Sequence, residues 1–130
     1  MDSIPVRFPE IYQGLADAEG VLRISSDALT LEYQVKDNLV GMVKSGVSTA
    51  VIPFDHIDEV DFRSNFLWTR LNIRVDSMQI VGDVPGAKQG NIKLKIPRRY
   101  KREAAEIAHE ASIRSSQSKL DRLEGDADAL

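Results

Sequence analysis

Residues Ser48 to Val75 read STAVIPFDHIDEVDFRSNFLWTRLNIRV, and the rest of the chain is organised around them. In Thr69–Asp76, Leu71, Ile73 and Val75 alternate with Arg70, Asn72, Arg74 and Asp76. Strict period two marks a strand with one buried and one wet face. Just upstream, Val60 and Phe62 alternate with Asp61 and Arg63. Ser64 and Asn65 between the two runs favour a turn, so the pair reads as an antiparallel hairpin. Its turn is unusual, because hairpin turns are polar and this one carries Phe66, Leu67 and Trp68 in a row. Further upstream, Ala50, Ile52 and Phe54 alternate with Val51 and Pro53. A proline has no N–H to give to a ladder, so Pro53 marks a sheet edge, a bulge or a strand end. Asp55 to Glu59 break the alternation, and the spacing of Ile57 and Val60 suggests a single bend there.

Moving outward, Leu29, Leu31, Tyr33 and Val35 alternate with Thr30, Glu32 and Gln34, a strand as clear as Thr69–Asp76. Ser25-Ser26-Asp27 separates it from a shorter strand at Val21–Ile24, with Leu22 and Ile24 inward. Gln13–Ala18 is a candidate first strand. Residues 1–12, with Pro5 and Pro9, read as an extended lead-in with Phe8 and Ile11 tucked against the domain. Leu39–Val47 is apolar, but Gly41 and Gly46 deny it a period, so it reads as a loop or distorted strand. Met78–Val84 reads as a short irregular strand, Pro85–Gly90 as a loop, and Ile92, Leu94 and Ile96 as the inward side of a last strand closed by Pro97. From there the period changes. Tyr100, Ala104, Ile107, Ala108 and Ala111 form the stripe of an amphipathic helix over about Arg99–Ile113. The pairs Arg99–Glu103, Arg102–Glu106 and Glu110–Arg114 are spaced to support it. Serines at 115, 116 and 118 interrupt the stripe. The expected organisation is therefore a lead-in at 1–12, one domain at 13–114, and a frayed helix end and disordered tail at 115–130. Strands first and a helix last imply a mainly β fold: about seven antiparallel strands in a bent sandwich or partly open barrel, capped by one C-terminal helix.

At 130 residues the chain is long enough for one domain with its own core. A net charge of −3 gives no whole-surface attraction to nucleic acid or anionic lipid. The absence of cysteine rules out disulfides, thiol catalysis and thiolate metal sites, and fits a reducing compartment. Met1-Asp2-Ser3 lacks the basic start of a signal peptide, and no apolar run approaches the roughly 20 residues of a membrane span. The expected location is cytoplasmic, with the inner membrane surface as an alternative.

Four segments carry a family resemblance: VLRISSDALTLEY (Val21–Tyr33), IPFDHIDEV (Ile52–Val60), FLWTRLNIRV (Phe66–Val75) and NIKLKIPRRYKREAAEI (Asn91–Ile107). Their order and spacing, over Val21 to Ala111, resemble the small bacterial pleckstrin-homology-like (PH-like) domains. The resemblance implies a bent, partly open seven-stranded barrel plugged by the helix, a lipid- or protein-binding role, and no enzyme activity. Lipid-binding members hold phosphoinositide head groups with several Lys and Arg side chains around the first strand-to-strand loop. If Ser25-Ser26-Asp27 is that loop, it offers no base and one acid, with Arg23 the nearby cation, so specific phosphoinositide recognition is not expected.

Among the residues that could carry chemistry, Asp55, His56, Asp58 and Glu59 read as a solvated bend, since no HExxH or CxxC pattern accompanies them. Gly86-Ala87-Lys88-Gln89-Gly90 lacks the pattern of a phosphate-cradling loop and opens onto a strand instead of a helix. No catalytic, cofactor or metal site is expected. Two features remain. Phe66, Leu67 and Trp68 are candidate partner-binding residues, because large aromatics are enriched at binding hot spots. By strand parity Phe66 and Trp68 share the outer face of Arg70, while Leu67 shares the inner face of Leu71. Lys93, Lys95, Arg98, Arg99, Lys101 and Arg102 are candidates for an anionic surface, with pairing of the helix arginines to Glu103 and Glu106 as the competing explanation. The expected function is a non-catalytic PH-like interaction module whose partner is a protein or a second copy of the chain. The alternative is a peripheral membrane-surface binder using the basic patch and the apolar tip; nucleic acid is not an expected partner.

Overall fold

Period-two alternation puts one face of each strand into a shared core, and the strands pair in antiparallel register. The computed structural model describes residues 3–9, 16–37 and 46–128. The strands are β1 (Ser3–Arg7), β2 (Ala16–Ile24), β3 (Ala28–Asp37), β4 (Ser48–Pro53), β5 (Ile57–Ser64), β6 (Thr69–Val75) and β7 (Asn91–Ile96), followed by helix α1 (Lys101–Asp128). They form one open, wholly antiparallel sheet in the order β4-β3-β2-β1-β7-β6-β5. The fold class read from the sequence, mainly β with seven antiparallel strands and one C-terminal helix, is the one observed.

Leu22, Leu29, Leu31, Ile52, Leu71, Ile73, Ile92 and Leu94 fill the core from the inner face of the sheet. Helix α1 covers this face with Ala104, Ile107, Ala108 and Ala111, packing on β5 and on the 3₁₀ turn Phe54–His56. Alanines on the contact stripe let the helix axis approach closely. Two polar ties fix its position. The buried Ser115 hydroxyl donates to the Ile57 carbonyl at 2.7 Å. Arg114 donates both to Glu110 at 3.0 Å and to the Ser25 carbonyl of the β2–β3 turn.

Several expectations need correcting. Residues 3–7 are a strand in the middle of the sheet, not part of a lead-in. Ile4, Val6 and Phe8 are buried and alternate with Pro5 and Arg7, a period-two pattern disguised by the prolines. Pro5 is tolerated because β1 pairs with β2 along its length but meets β7 only at Arg7–Lys95. Along Pro5 the strand therefore behaves like an edge, where a missing N–H costs little. Ser25–Asp27 is accordingly the β2–β3 turn and not the first strand-to-strand loop. The first strand-to-strand connection lies between Arg7 and Ala16; residues 10–15, with half of the candidate strand at 13–18, lie outside the described residues, while 16–18 belong to β2, and residues 38–45, most of the Leu39–Val47 segment, lie outside them too.

Met78–Val81 is a 3₁₀ turn instead of a strand, because Met78, Val81 and Val84 are spaced by three and the last two are buried. Arg98–Tyr100 form another 3₁₀ turn, so Arg99 precedes the α-helix, and of the three expected helix pairs only Glu110–Arg114 closes. The helix does not end near Ile113 or give way to a disordered tail: it runs to Asp128. Ser115 is a buried anchor instead of a breaker, Lys119 reaches Asp58 at 3.5 Å, and Gln117 donates to Asp121 at 2.9 Å. Residues 129–130 lie outside the described residues. Among the described residues no helix is long and apolar enough to cross a membrane.

Candidate functional site: an apolar hairpin tip beside a row of cations

Strands β5 and β6 pair up to Ser64–Thr69, and Asn65 N–H donates to the Trp68 carbonyl at 2.9 Å. Phe66 and Leu67 are thus the two central residues of the turn. The Asn65 side chain organises it, since Oδ1 accepts from Leu67 N–H at 2.8 Å and from Trp68 N–H at 2.9 Å. A short side chain closing its own turn is the reason asparagine suits this position. The tip is therefore held in shape while its two central side chains face solvent, with Phe66 76% and Leu67 69% exposed. Trp68 lies half-buried on the outer face, where the Arg70 guanidinium stacks over its ring at 4.6 Å. Parity gives Trp68 the face of Arg70, as observed, whereas Leu67, expected inward, is exposed because it is a central residue of the turn.

The register of the sheet then brings together cations that the sequence scatters. Arg63 on β5 is opposite Arg70 on β6, Arg70 is opposite Lys95 on β7, and Lys95 is opposite Arg7 on β1. Directly opposed residues share a face with their Cβ atoms about 5 Å apart, and like charges so placed are destabilising. Arg63 is relieved by Asp61 at 2.9 Å. Among the described residues no carboxylate forms an ion pair with Arg7, Arg70 or Lys95, nor with Lys93, Arg98, Arg99, Lys101 or Arg102. The expected relief of the helix arginines by Glu103 and Glu106 is absent. Glu103 instead leaves Oε2 buried without a hydrogen-bond partner.

Of the six expected basic residues, Lys95, Arg98 and Arg99 line one groove with Arg7. Lys93 sits one step along β7 and does not line it; Lys101 and Arg102 line a smaller hollow at the start of α1. The groove, about 930 Å³, lies where β1 and β7 part, with Pro5, Val21 and Pro97 as apolar walls; Glu19, directly opposite Arg7 on β2, and Glu32, paired with Arg23 at 3.2 Å, also line it. Gly20 lines it at a close approach of β2 to β3, where a Cβ would sit 1.9 Å from the Glu32 carbonyl oxygen. Since Ile96 pairs with Thr69, the groove and the hairpin tip occupy the same end of the sheet. Arg7 and Arg70 were not singled out from the sequence. Their signal was available only as outward parity, and the partner strand that gives it meaning is set by topology.

The other candidates are local structure. His56 Nδ1 lies 2.9 Å from Asp76 Oδ1, and Asp76 N–H donates to the His56 carbonyl, which staples the bend before β5 to the end of β6. Among the described residues no group of three or more His, Cys, Asp or Glu is placed to hold a metal ion. Gly90, at φ 79°, ends the Gly86–Gly90 loop, and its carbonyl accepts from Val75 N–H at 2.9 Å. A Cβ there would come 2.7 Å from the Val75 carbonyl oxygen, so the glycine serves the turn. No family model, no curated protein and no solved structure matches this chain.

Proposed function

We propose that this chain is a non-catalytic PH-like interaction module that docks through the β5–β6 tip, and that the surface it fits best is an anionic membrane. One observation carries this reading: Phe66 and Leu67, the most exposed pair of large apolar side chains among the described residues, project beside Arg70, Lys95 and Arg7, none of which forms an ion pair with a carboxylate among the described residues. Apolar groups that enter the headgroup layer and cations that bind anionic lipid are the two terms of interfacial binding. The net charge of −3 does not oppose this, because screening over about 8–10 Å makes the local face decisive. The strand order and the closing helix support the PH-like assignment. Specific phosphoinositide recognition is not part of the reading, since the sequence between β1 and β2, FPEIYQGL from Phe8 to Leu15, contains no Lys or Arg. Nucleic acid is not proposed either, since Trp68, the aromatic of this face, is already stacked on Arg70.

Glu19 and Glu32 beside the groove favour a second reading, a protein partner with matching charges of both signs. Co-sedimentation with neutral phosphatidylcholine vesicles and with vesicles containing phosphatidylserine separates the two. The membrane reading expects binding to the anionic vesicles alone, weakened by salt, and lost in both Phe66→Ala/Leu67→Ala and Arg70→Ala/Lys95→Ala. Absence of vesicle binding by the folded wild-type chain overturns it and leaves the protein partner.

A further inference from the structure

The β4 end of the sheet lacks the protection that the β5 end has. In sequence, Val47–Ile52 reads VSTAVI, with no charge and with Val, Thr and Ile dominating. Ladder hydrogen bonds join β4 to β3, and among the described residues no backbone hydrogen bond leaves Ser48–Pro53 on the opposite side. Val47 is 63% and Val51 55% exposed. An uncharged, regular, β-branched edge with free N–H and C=O groups is a template for another strand. The 3₁₀ turn Met78–Val81 packs against β4 without hydrogen-bonding to its backbone. A groove of about 550 Å³ runs beside β4, between Thr49 and Val51 on one side and Gln79 and Ile80 of the 3₁₀ turn on the other.

We propose that β4 pairs antiparallel with β4 of a second copy about a two-fold axis, joining two sheets into one. The absence of charge selects this occupant. In a two-fold pairing the same edge meets itself, residue i facing j and j facing i, so a charge at the axis would face its own copy and a net charge on the edge would repel. The VSTAVI edge has none to oppose. The pairing sets Thr and Val side chains of the two outer faces against each other, and these are favourable cross-strand neighbours. It covers Val47 and Val51 and gives the free backbone groups their partners. This rests on a different surface from the tip and does not depend on what the tip binds.

The test is the solution mass of the full chain over a wide concentration range, for wild type, Thr49→Lys/Val51→Lys and Phe66→Ala/Leu67→Ala. Both lysines replace exposed side chains, and circular dichroism with a thermal melt checks that the variant is folded. The expected result is a two-copy mass for wild type that falls to one copy on dilution, one copy throughout for Thr49→Lys/Val51→Lys, and the wild-type mass for the tip variant. A wild-type chain of single mass at every concentration overturns the proposal, as does a two-copy mass that survives the lysines. If the wild type is single but retains a synthetic extended peptide of unrelated sequence, and the lysine variant does not, the edge takes a foreign strand and the second copy is excluded.

Discussion

β4 and β5 are the two free ends of one sheet, and they meet the same hazard in opposite ways. Strand β5 carries Asp58, Glu59, Asp61 and Arg63, and its ladder with β6 slips by a bulge between Ile57 and Glu59. Helix α1 lies along it, and Ser115 takes up its Ile57 carbonyl. Charge, bulge and cover are the usual means of keeping an edge from pairing. Strand β4 has none of the first two, and the 3₁₀ turn beside it leaves a groove instead of closing it. The difference teaches where contact with other molecules is permitted. The β5 side presents exposed apolar side chains at the tip, at Phe66 and Leu67, whereas the β4 side offers its backbone.

The largest expected effect tests the cover over β5. Ala104 is fully buried on the sheet-facing side of α1. Ala104→Glu would place an unpaired carboxylate there and should cost about 3–5 kcal/mol in denaturant unfolding. Thr49→Glu, on the exposed face of β4, should stay within about 0.5 kcal/mol in protein dilute enough to be single-copy. Similar losses from both would break the comparison. The next effect concerns the core shared by the two ends. Leu71 on β6 and Ile52 on β4 are both fully buried, so replacement of either by alanine should cost about 2–5 kcal/mol. A small cost at Ile52 alone would show that β4 is loosely attached, not merely unprotected.

The smallest effect is a pH dependence at the β4 end. The Tyr33 hydroxyl donates to the Asp83 carbonyl at 2.9 Å, which ties β3 to the loop beside β4. Burial, followed by the nearby Asp83 carboxylate, raises the phenol above its usual value, and a hydrogen bond with Ser48 offsets part of this. Below pH 10 the phenol is neutral in both folded and unfolded chains, and this contribution to stability is fully present. As the pH rises past about 10, the unfolded phenol ionises first, and the contribution is lost as the pH rises through the folded value. Unfolding measured from pH 9 upward should show this loss in wild type and less of it in Tyr33→Phe; an equal loss in both would detach Tyr33 from it.

Much of the fold was legible because period two survives wherever a strand has one wet face, as in Leu29–Val35 and Thr69–Val75. It failed at β1, where prolines hide the alternation of Ile4, Val6 and Phe8, and at Met78–Val84, where a spacing of three was read as a strand. The helix end was misread because Ser115 looks polar until its acceptor, the Ile57 carbonyl far away in sequence, is in place. At the candidate site, Phe66, Leu67 and Trp68 were visible as an anomaly of composition in a turn. The Arg63–Arg70–Lys95–Arg7 row was not, because cross-strand neighbours follow from strand order and register. The bareness of β4 was likewise invisible, since STAVIP becomes an edge only when the order of all seven strands is known.

Amide hydrogen exchange, followed residue by residue at low and high protein concentration, tests most directly the claim that one end of the sheet is closed and the other open to a second strand. The outward amides of β4 should exchange readily in dilute protein and slow as the concentration rises, while those of β5 keep one rate throughout. Exchange in β4 that ignores concentration, or a slowing shared equally by β5, would contradict the account.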